Sequence, residues 1–98
     1  MKIKVLKRTP NELRIEIEGE GHTFCTLLQN ALLEDEMVDM AGYDIPHPLV
    51  SNPVLYVRTK EGKRPINALR DASRRIRDRY SEFRKLLEEA LGAEGSHS

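Results

Sequence analysis

The sequence is poor in the residue types that mark disulfide-bonded, membrane-spanning or base-stacking proteins. Its 98 residues include one cysteine, no tryptophan and 5% aromatic residues. A single cysteine excludes an intramolecular disulfide, which fits a reducing compartment. No apolar run approaches the roughly 20 residues that cross a bilayer. The N-terminal segment MKIKVLKR lacks the apolar core of a signal peptide. We therefore expect a cytoplasmic protein with no membrane contact.

An excess of positive charge is also missing. Charged residues make up 33% of the chain in equal numbers of each sign, so the formal net charge is zero. A free-standing nucleic-acid-binding protein usually carries a clear basic excess. Neither a phosphate-binding loop nor a pair of acids suited to catalytic magnesium is present. The sequence therefore predicts no catalytic residues, no cofactor and no small-molecule substrate.

The first 18 residues predict an antiparallel hairpin. Residues 2–8 alternate loosely, and a Thr-Pro-Asn-Glu turn follows at residues 9–12. From Glu12 to Glu18, apolar Leu13, Ile15 and Ile17 alternate strictly with charged residues. That period is typical of a strand with one buried face and one solvated face.

A first helix is expected after the glycines at 19 and 21, with Thr23 as its N-cap. The helix presents one apolar face, made by Phe24, Leu27, Leu28, Ala31 and Leu32. It ends in Glu34-Asp35-Glu36, where the helix dipole disfavours acids. Nothing in the sequence explains that placement.

Two further strands are expected over residues 37–45 and 54–59. A bulge or a bend is predicted at Gly42, and Pro46 and Pro48 turn the chain after the third strand. The predicted order is therefore ββαββα, an α+β fold in which a small antiparallel sheet carries two helices on one face.

The last helix is predicted to run from Pro65 to Leu91 and to end at Gly92. Its apolar positions recur every three or four residues: Leu69, Ala72, Ile76, Tyr80, Phe83, Leu87 and Ala90. Such a helix is about 40 Å long, whereas a 98-residue globule has a radius of gyration of about 13 Å. We therefore expect it to extend beyond its own domain, residues 1–91, and to contact another chain. Residues 92–98 are expected to form a disordered tail.

The spacing of His22, Cys25 and His47 permits a metal site but predicts one weakly. Structural zinc sites use four ligands, usually with paired cysteines. A cysteine in an apolar helix is more often a small core residue. We therefore predict no metal site, and assign His22 to local hydrogen bonding near the helix start and His47 to the proline corner.

The arginine-rich last helix raises one alternative function, a small free-standing nucleic-acid-binding module. Acids interleave with the arginines at helical spacing, which favours a solvated face of ion pairs. The expected i, i+4 pairs are Asp71–Arg75, Arg74–Asp78, Arg84–Glu88 and Lys85–Glu89.

The segment from Gly19 to Leu49 resembles the archaeal RNA polymerase subunit L family, relatives of the eleventh subunit of eukaryotic polymerase II. The resemblance is carried by His22-Thr23-Phe24, by Leu27-Leu28 and Leu32-Leu33, and by Ala41-Gly42-Tyr43 and Pro46-His47-Pro48-Leu49. The chain departs from many relatives at Gly21 and at Cys25-Thr26. We identify the signature turn and corner as His22, Thr23, Gly42, Tyr43, Pro46, His47 and Pro48.

The resemblance implies the dimerisation fold of the bacterial polymerase alpha subunit. It further implies a heterodimer with the larger D subunit of the archaeal polymerase, which serves as an assembly platform for the large catalytic subunits, without direct nucleic-acid contact. The active site would then belong to the large subunits. The expected partner interface comprises Phe24, Leu28, Leu32, Leu69, Ala72, Ile76, Tyr80, Phe83 and Leu87.

Overall fold

The computed structural model describes residues 1–46 and 52–94 and has the predicted order ββαββα. The strands are β1 (Lys2–Arg8), β2 (Glu12–Glu18), β3 (Val38–Asp44) and β4 (Val54–Thr59), and the helices are α1 (His22–Leu33) and α2 (Pro65–Glu94). The fold class is thus confirmed. His47 and Pro48, two of the predicted corner residues, lie outside the described residues.

The four strands form one antiparallel sheet in the order β1-β2-β4-β3. Strand β2 lies between β1 and β4, and its Ile15 pairs with both Val5 of β1 and Leu55 of β4. Glycine ends β2, since Gly19 has a φ of 89°, a region that other residues rarely adopt.

The core lies between the sheet and the two helices. It is formed by apolar side chains from both layers, and the largest completely buried ones are Ile17, Leu32, Leu55, Val57 and Cys25. The strictly alternating β2 and β4 send Leu13, Ile15, Ile17, Leu55 and Val57 to this helix-side face. Their other residues form the opposite, outer face of the sheet.

The prediction for the start of α1 is wrong in detail. The helix begins at His22, and Gly21 is the N-cap with no side-chain hydrogen bond. Thr23 therefore lies inside the first turn, where its hydroxyl cannot act as the cap. Glycine serves as an N-cap because it adopts the required extended backbone at little cost.

Two other local predictions are also wrong. The irregularity of β3 lies between Val38 and Met40, whereas Gly42 pairs regularly with Tyr56 of β4. Helix α2 does not end at Gly92 but continues to Glu94. One glycine lowers helix stability by about 1 kcal/mol and does not forbid the conformation.

The molecule is elongated because α2 extends past the sheet. Its principal extents are 54 × 37 × 17 Å, and its radius of gyration is 16.7 Å. A compact chain of this length would have a radius of gyration of about 13 Å. The 30 residues of α2 correspond to roughly 45 Å of helix. The overhang expected from the sequence is therefore present.

Candidate partner interface

The outer half of α2 carries an apolar surface that the described part of the chain leaves exposed. Every residue from Arg77 to Gly92 is exposed. The large apolar side chains among them are Tyr80, Phe83, Leu86, Leu87 and Leu91, each between 44% and 69% exposed. We call these five residues the α2 seam. A continuous apolar row of this length on a small protein is typical of an interaction surface.

The predicted interface residues fall into three groups that differ in how exposed their side chains are. Tyr80, Phe83 and Leu87 belong to the exposed seam. Phe24, Leu69 and Ile76 are half-buried and pack against the edge of the core. Leu28, Leu32 and Ala72 are buried in the chain's own core, at 5% exposure or less. These last three side chains stabilise the core of the chain and are not available to a partner. The surface available for the predicted interface therefore comes from the first two groups.

A second apolar surface lies on the helix-side face of β1. Ile3 and Val5 pair with the buried residues Ile17 and Ile15, yet they are 58% and 55% exposed. Neither helix packs over β1, so the layer that covers β2 stops one strand short of the sheet edge. The sequence did not predict this open strip, because the alternation in β1 is typical of a half-buried strand.

The base of α2 is held against the end of α1 by charged groups. Lys63 Nζ lies 2.5 Å from Asp35 Oδ2 and 2.6 Å from Asp71 Oδ2. One turn later, Arg75 Nη1 donates a 3.2 Å hydrogen bond to the Ala31 carbonyl, one of the oxygens left free at the end of α1. Arg79 then pairs with Glu34. Two of the three acids that seemed misplaced at the negative end of α1, Glu34 and Asp35, therefore meet cations from α2 and from the turn before it.

These contacts shift the pKa values of the groups involved. Burial raises the pKa of Asp35, but the hydrogen bonds from Lys63 and from the Met37 N–H outweigh it and leave the pKa lowered. The hydrogen bond from Lys63 lowers the pKa of Asp71. The same two carboxylates, Asp35 first, raise the pKa of Lys63. All three groups are therefore charged around neutral pH, and we call them the Lys63 cluster.

Two residues near the start of α1, His22 and Thr26, contact Tyr43 of β3. His22 Nδ1 and the Thr26 hydroxyl each lie 3.0 Å from the Tyr43 hydroxyl. The His22 and Tyr43 rings meet edge to face at 5.6 Å. The histidine thus orients α1 on the sheet through Tyr43 rather than hydrogen-bonding beside Thr23, as the sequence had suggested.

The described residues do not bring metal-binding groups together. Cys25 is completely buried in the core, and burial raises the pKa of its thiol, with a smaller contribution from Glu20. His22 is exposed and engaged with Tyr43. Within residues 1–46 and 52–94, no group of three or more His, Cys, Asp or Glu side chains is placed to hold a metal ion.

The basic side chains of α2 are largely engaged with acids or carbonyls. Of the predicted i, i+4 pairs, the described part of the chain shows Arg84–Glu88, at 3.5 Å. Asp71 contacts Lys63 and Arg74 instead of Arg75, and Asp78 contacts Arg77. The helix therefore presents a mixed-charge surface and not the continuous basic stripe that phosphate binding requires. Neither described helix combines the length and apolarity needed to cross a membrane.

Comparison with known proteins points to one family. The family described as the RNA polymerase Rpb3/Rpb11 dimerisation domain matches residues 12–86. DNA-directed RNA polymerase subunit Rpo11 of Methanothrix thermoacetophila is 50% identical over 91 residues, which cover 93% of this chain and 99% of that protein. Subunit Rpo11 of Methanocella arvoryzae is 44% identical over 89% of this chain and 94% of its own length.

The fold comparison agrees with the sequence comparison. The crystal structure of DNA-directed RNA polymerase subunit L from Thermoplasma acidophilum matches with a TM-score of 0.84 at 30% identity, covering 99% of this chain and 96% of that one. The similarity therefore spans the sheet, both helices and the extended end of α2.

Proposed function

Since this chain belongs to the family of the RNA polymerase Rpb3/Rpb11 dimerisation domain, we propose that it is a non-catalytic subunit of a DNA-directed RNA polymerase. It forms a heterodimer with the larger D subunit, and this heterodimer is the platform on which the large catalytic subunits assemble in the cytoplasm. The large subunits catalyse nucleotide addition, and this chain contributes surfaces that bind other subunits.

The α2 seam is the observation that carries the proposal. Complete burial of one Leu or Phe side chain contributes about 1.5–3 kcal/mol. Association itself costs about 4–15 kcal/mol in lost translational and rotational freedom. Several seam residues must therefore be buried together, and the five exposed residues from Tyr80 to Leu91 supply enough apolar surface for that.

The open strip on β1 suggests how a partner of the same fold would complete the interface. The strip is apolar on the helix side and lacks a covering helix, whereas α2 extends past its own sheet. A relative that shares this architecture has a projecting helix of its own to lay over Ile3 and Val5. The two members of a heterodimer would then each cover the surface that the other leaves open.

The test compares two substitutions that introduce the same charge at neighbouring positions of α2. Phe83→Asp places a carboxylate in the seam, and Ser81→Asp places one on an exposed position outside it. After co-expression with the D subunit, we expect Phe83→Asp to reduce the recovered heterodimer at least about tenfold, as expected for a central apolar interface residue. Ser81→Asp should leave recovery unchanged.

Circular dichroism of both variants separates a lost interface from a lost fold. Phe83 is 63% exposed, so its replacement should leave the sheet and both helices intact. Equal recovery of the two variants with the D subunit would contradict the proposed interface. A wild-type chain that remains a stable monomer and never binds the D subunit would contradict the proposed function itself.

A further inference from the structure

An apolar hollow interrupts the charged outer face of the sheet, on the side away from the helices. Its volume is about 640 Å³, and its walls include Leu6, Met40, Val54 and Tyr56. Leu6 and Met40 are 44% and 46% exposed. Neighbouring outer-face positions carry charges such as Lys4 and Glu16, which pair across β1 and β2. The hollow is therefore a local apolar site and not part of a generally apolar face.

Gly42 lines this hollow, and the described residues give no structural reason for a glycine at this position. It sits in the middle of β3 in regular pairing, and its φ is not in the positive region. A Cβ added to it would meet no atom of residues 1–46 or 52–94 within 4 Å. Neither backbone conformation nor internal packing requires glycine there, although glycine weakens a strand. An unexplained strand glycine often marks a place where another molecule approaches the backbone closely.

The side chain that could have covered Gly42 is held elsewhere. Tyr56 is the cross-strand neighbour of Gly42 and also of Arg14. Its hydroxyl donates a 2.7 Å hydrogen bond to Glu12 of β2, and the Arg14 guanidinium lies 5.4 Å from the centre of its ring. These contacts hold the tyrosine toward β2, so among the described residues its side chain does not cover Gly42.

We propose that this hollow binds an apolar side chain, next to a carboxylate, on a segment of one of the large polymerase subunits. The inference rests on the proposed function, which assigns the helix layer to the D subunit. The outer face is on the opposite side of the sheet, so its occupant is a third chain. The apolar binding surface is formed by the exposed side chains of Leu6 and Met40 and by the backbone of Gly42.

The positive charge of Arg14 at the edge of the hollow is the reason to expect a carboxylate on the bound segment. Lys7 pairs with Glu12, and Arg58 pairs with Asp39. Within the part of the chain that the structure describes, Arg14 makes no ion pair and remains exposed on the outer face. Asp44 also lines the hollow, but on β3, two strands from Arg14. Glu12 and Glu16 flank Arg14 on the outer face of β2, but of these three residues only Arg14 lines the hollow. A carboxylate bound at the β2 side of the hollow would therefore meet the Arg14 guanidinium.

Filling the hollow tests the proposal, because it should weaken assembly without lowering stability. Gly42→Val adds a strand-favouring side chain into open space, so the melting temperature of the heterodimer should stay equal or rise. Binding of the heterodimer to the large subunits should weaken at least about tenfold. Glu18→Val, on the same face at the far end of β2, should change neither binding step.

Each outcome of this comparison is informative. Unchanged binding of the large subunits by Gly42→Val would overturn the proposal while leaving the heterodimer in place. Failure of Gly42→Val to bind the D subunit, with the fold intact, would assign the hollow to that subunit and also overturn the proposal. A wild-type chain that fails to bind the D subunit would instead refute the proposed function, and this inference with it.

Two further measurements do not depend on Gly42. Arg14→Glu should weaken binding of the large subunits more than Arg14→Lys does, and both should leave the D subunit bound. In the wild-type protein, peroxide should oxidise Met40 several-fold more slowly in the assembled enzyme than in the heterodimer, because its thioether is covered. Equal oxidation rates in the two states would show that the hollow stays open and would overturn the proposal.

Discussion

Replacement of Lys63 by methionine should destabilise the fold, because it removes the cation from the Lys63 cluster. The lysine ammonium lies 2.5 Å from the nearly buried Asp35 carboxylate, whose residue is only 8% exposed. Without Lys63, Asp35 keeps a 2.9 Å hydrogen bond from the Met37 N–H, and Arg75 remains as a neighbouring charge. Methionine keeps most of the apolar stem, so the lost interaction is chiefly the charge.

The expected loss in the free energy of unfolding of Lys63→Met lies between the values for exposed and buried ion pairs. Exposed pairs contribute about 0–1 kcal/mol, and breaking a buried pair costs about 3–5 kcal/mol. The Lys63 and Asp71 side chains are 20% and 35% exposed, so solvent screens part of the interaction. We expect Lys63→Met to lower the free energy of unfolding by about 2 kcal/mol at neutral pH.

The pH dependence follows from the directions of the pKa shifts. The pKa values of Asp35 and Asp71 are lowered on folding, so their stabilisation is complete above about pH 5 and is lost as pH falls through the folded values. The pKa of Lys63 is raised, so its contribution is complete below about pH 9 and is lost as pH rises through the folded value. The cost of Lys63→Met should therefore be largest between these limits and smaller near pH 3.

Urea denaturation at pH 7 and pH 3, followed by circular dichroism at one protein concentration, measures both effects. Lys60→Met is the matched control, because Lys60 is exposed in the same turn and makes no ion pair among the described residues. It should change stability by less than about 0.5 kcal/mol. If both variants cost the same, or if the cost of Lys63→Met is the same at both pH values, the role assigned to this cluster is wrong.

Two other substitutions test the surfaces and the core. Val5→Asp, on the helix side of β1, should weaken the heterodimer at least about tenfold in a co-purification assay. Lys4→Asp, on the outer side of the same strand, should not, and equal losses would remove β1 from the interface. The Cys25 thiol should react with Ellman's reagent only in denaturant, because the residue is completely buried and burial raises its pKa. Rapid reaction in the native protein would contradict the buried position.

The regular elements could be predicted from sequence because each one repeats a local pattern. The alternation around Ile15 predicted a half-buried strand, and the spacing from Leu69 to Leu87 predicted a helix longer than its domain. The helix ends were less certain, since Gly21 and Gly92 tolerate both the helical and the non-helical state. The bulge was misplaced from the Val38–Met40 region to Gly42 because glycine is only a statistical marker of bulges.

The contacts between elements could not be predicted. Lys63 meets Asp35 across 28 residues, and Arg79 meets Glu34 across 45. Sequence spacing identifies charge pairs within one helix, but these pairs depend on how two helices cross. The same limit applies to the predicted interface residues. The helical period placed both Leu32 and Phe83 on apolar faces, and only the structure shows that Leu32 is buried and Phe83 is exposed.

The position of β1 at the sheet edge also affects how copies of this chain meet before a partner is bound. An exposed edge strand can pair with the edge of another copy and start aggregation. Strand β1 carries Lys2, Lys4, Lys7 and Arg8, so antiparallel pairing of two such edges would bring like charges together. This repulsion protects the backbone edge while leaving the apolar helix-side strip available. Newly made chains are thereby hindered from joining edge to edge into a continuous sheet.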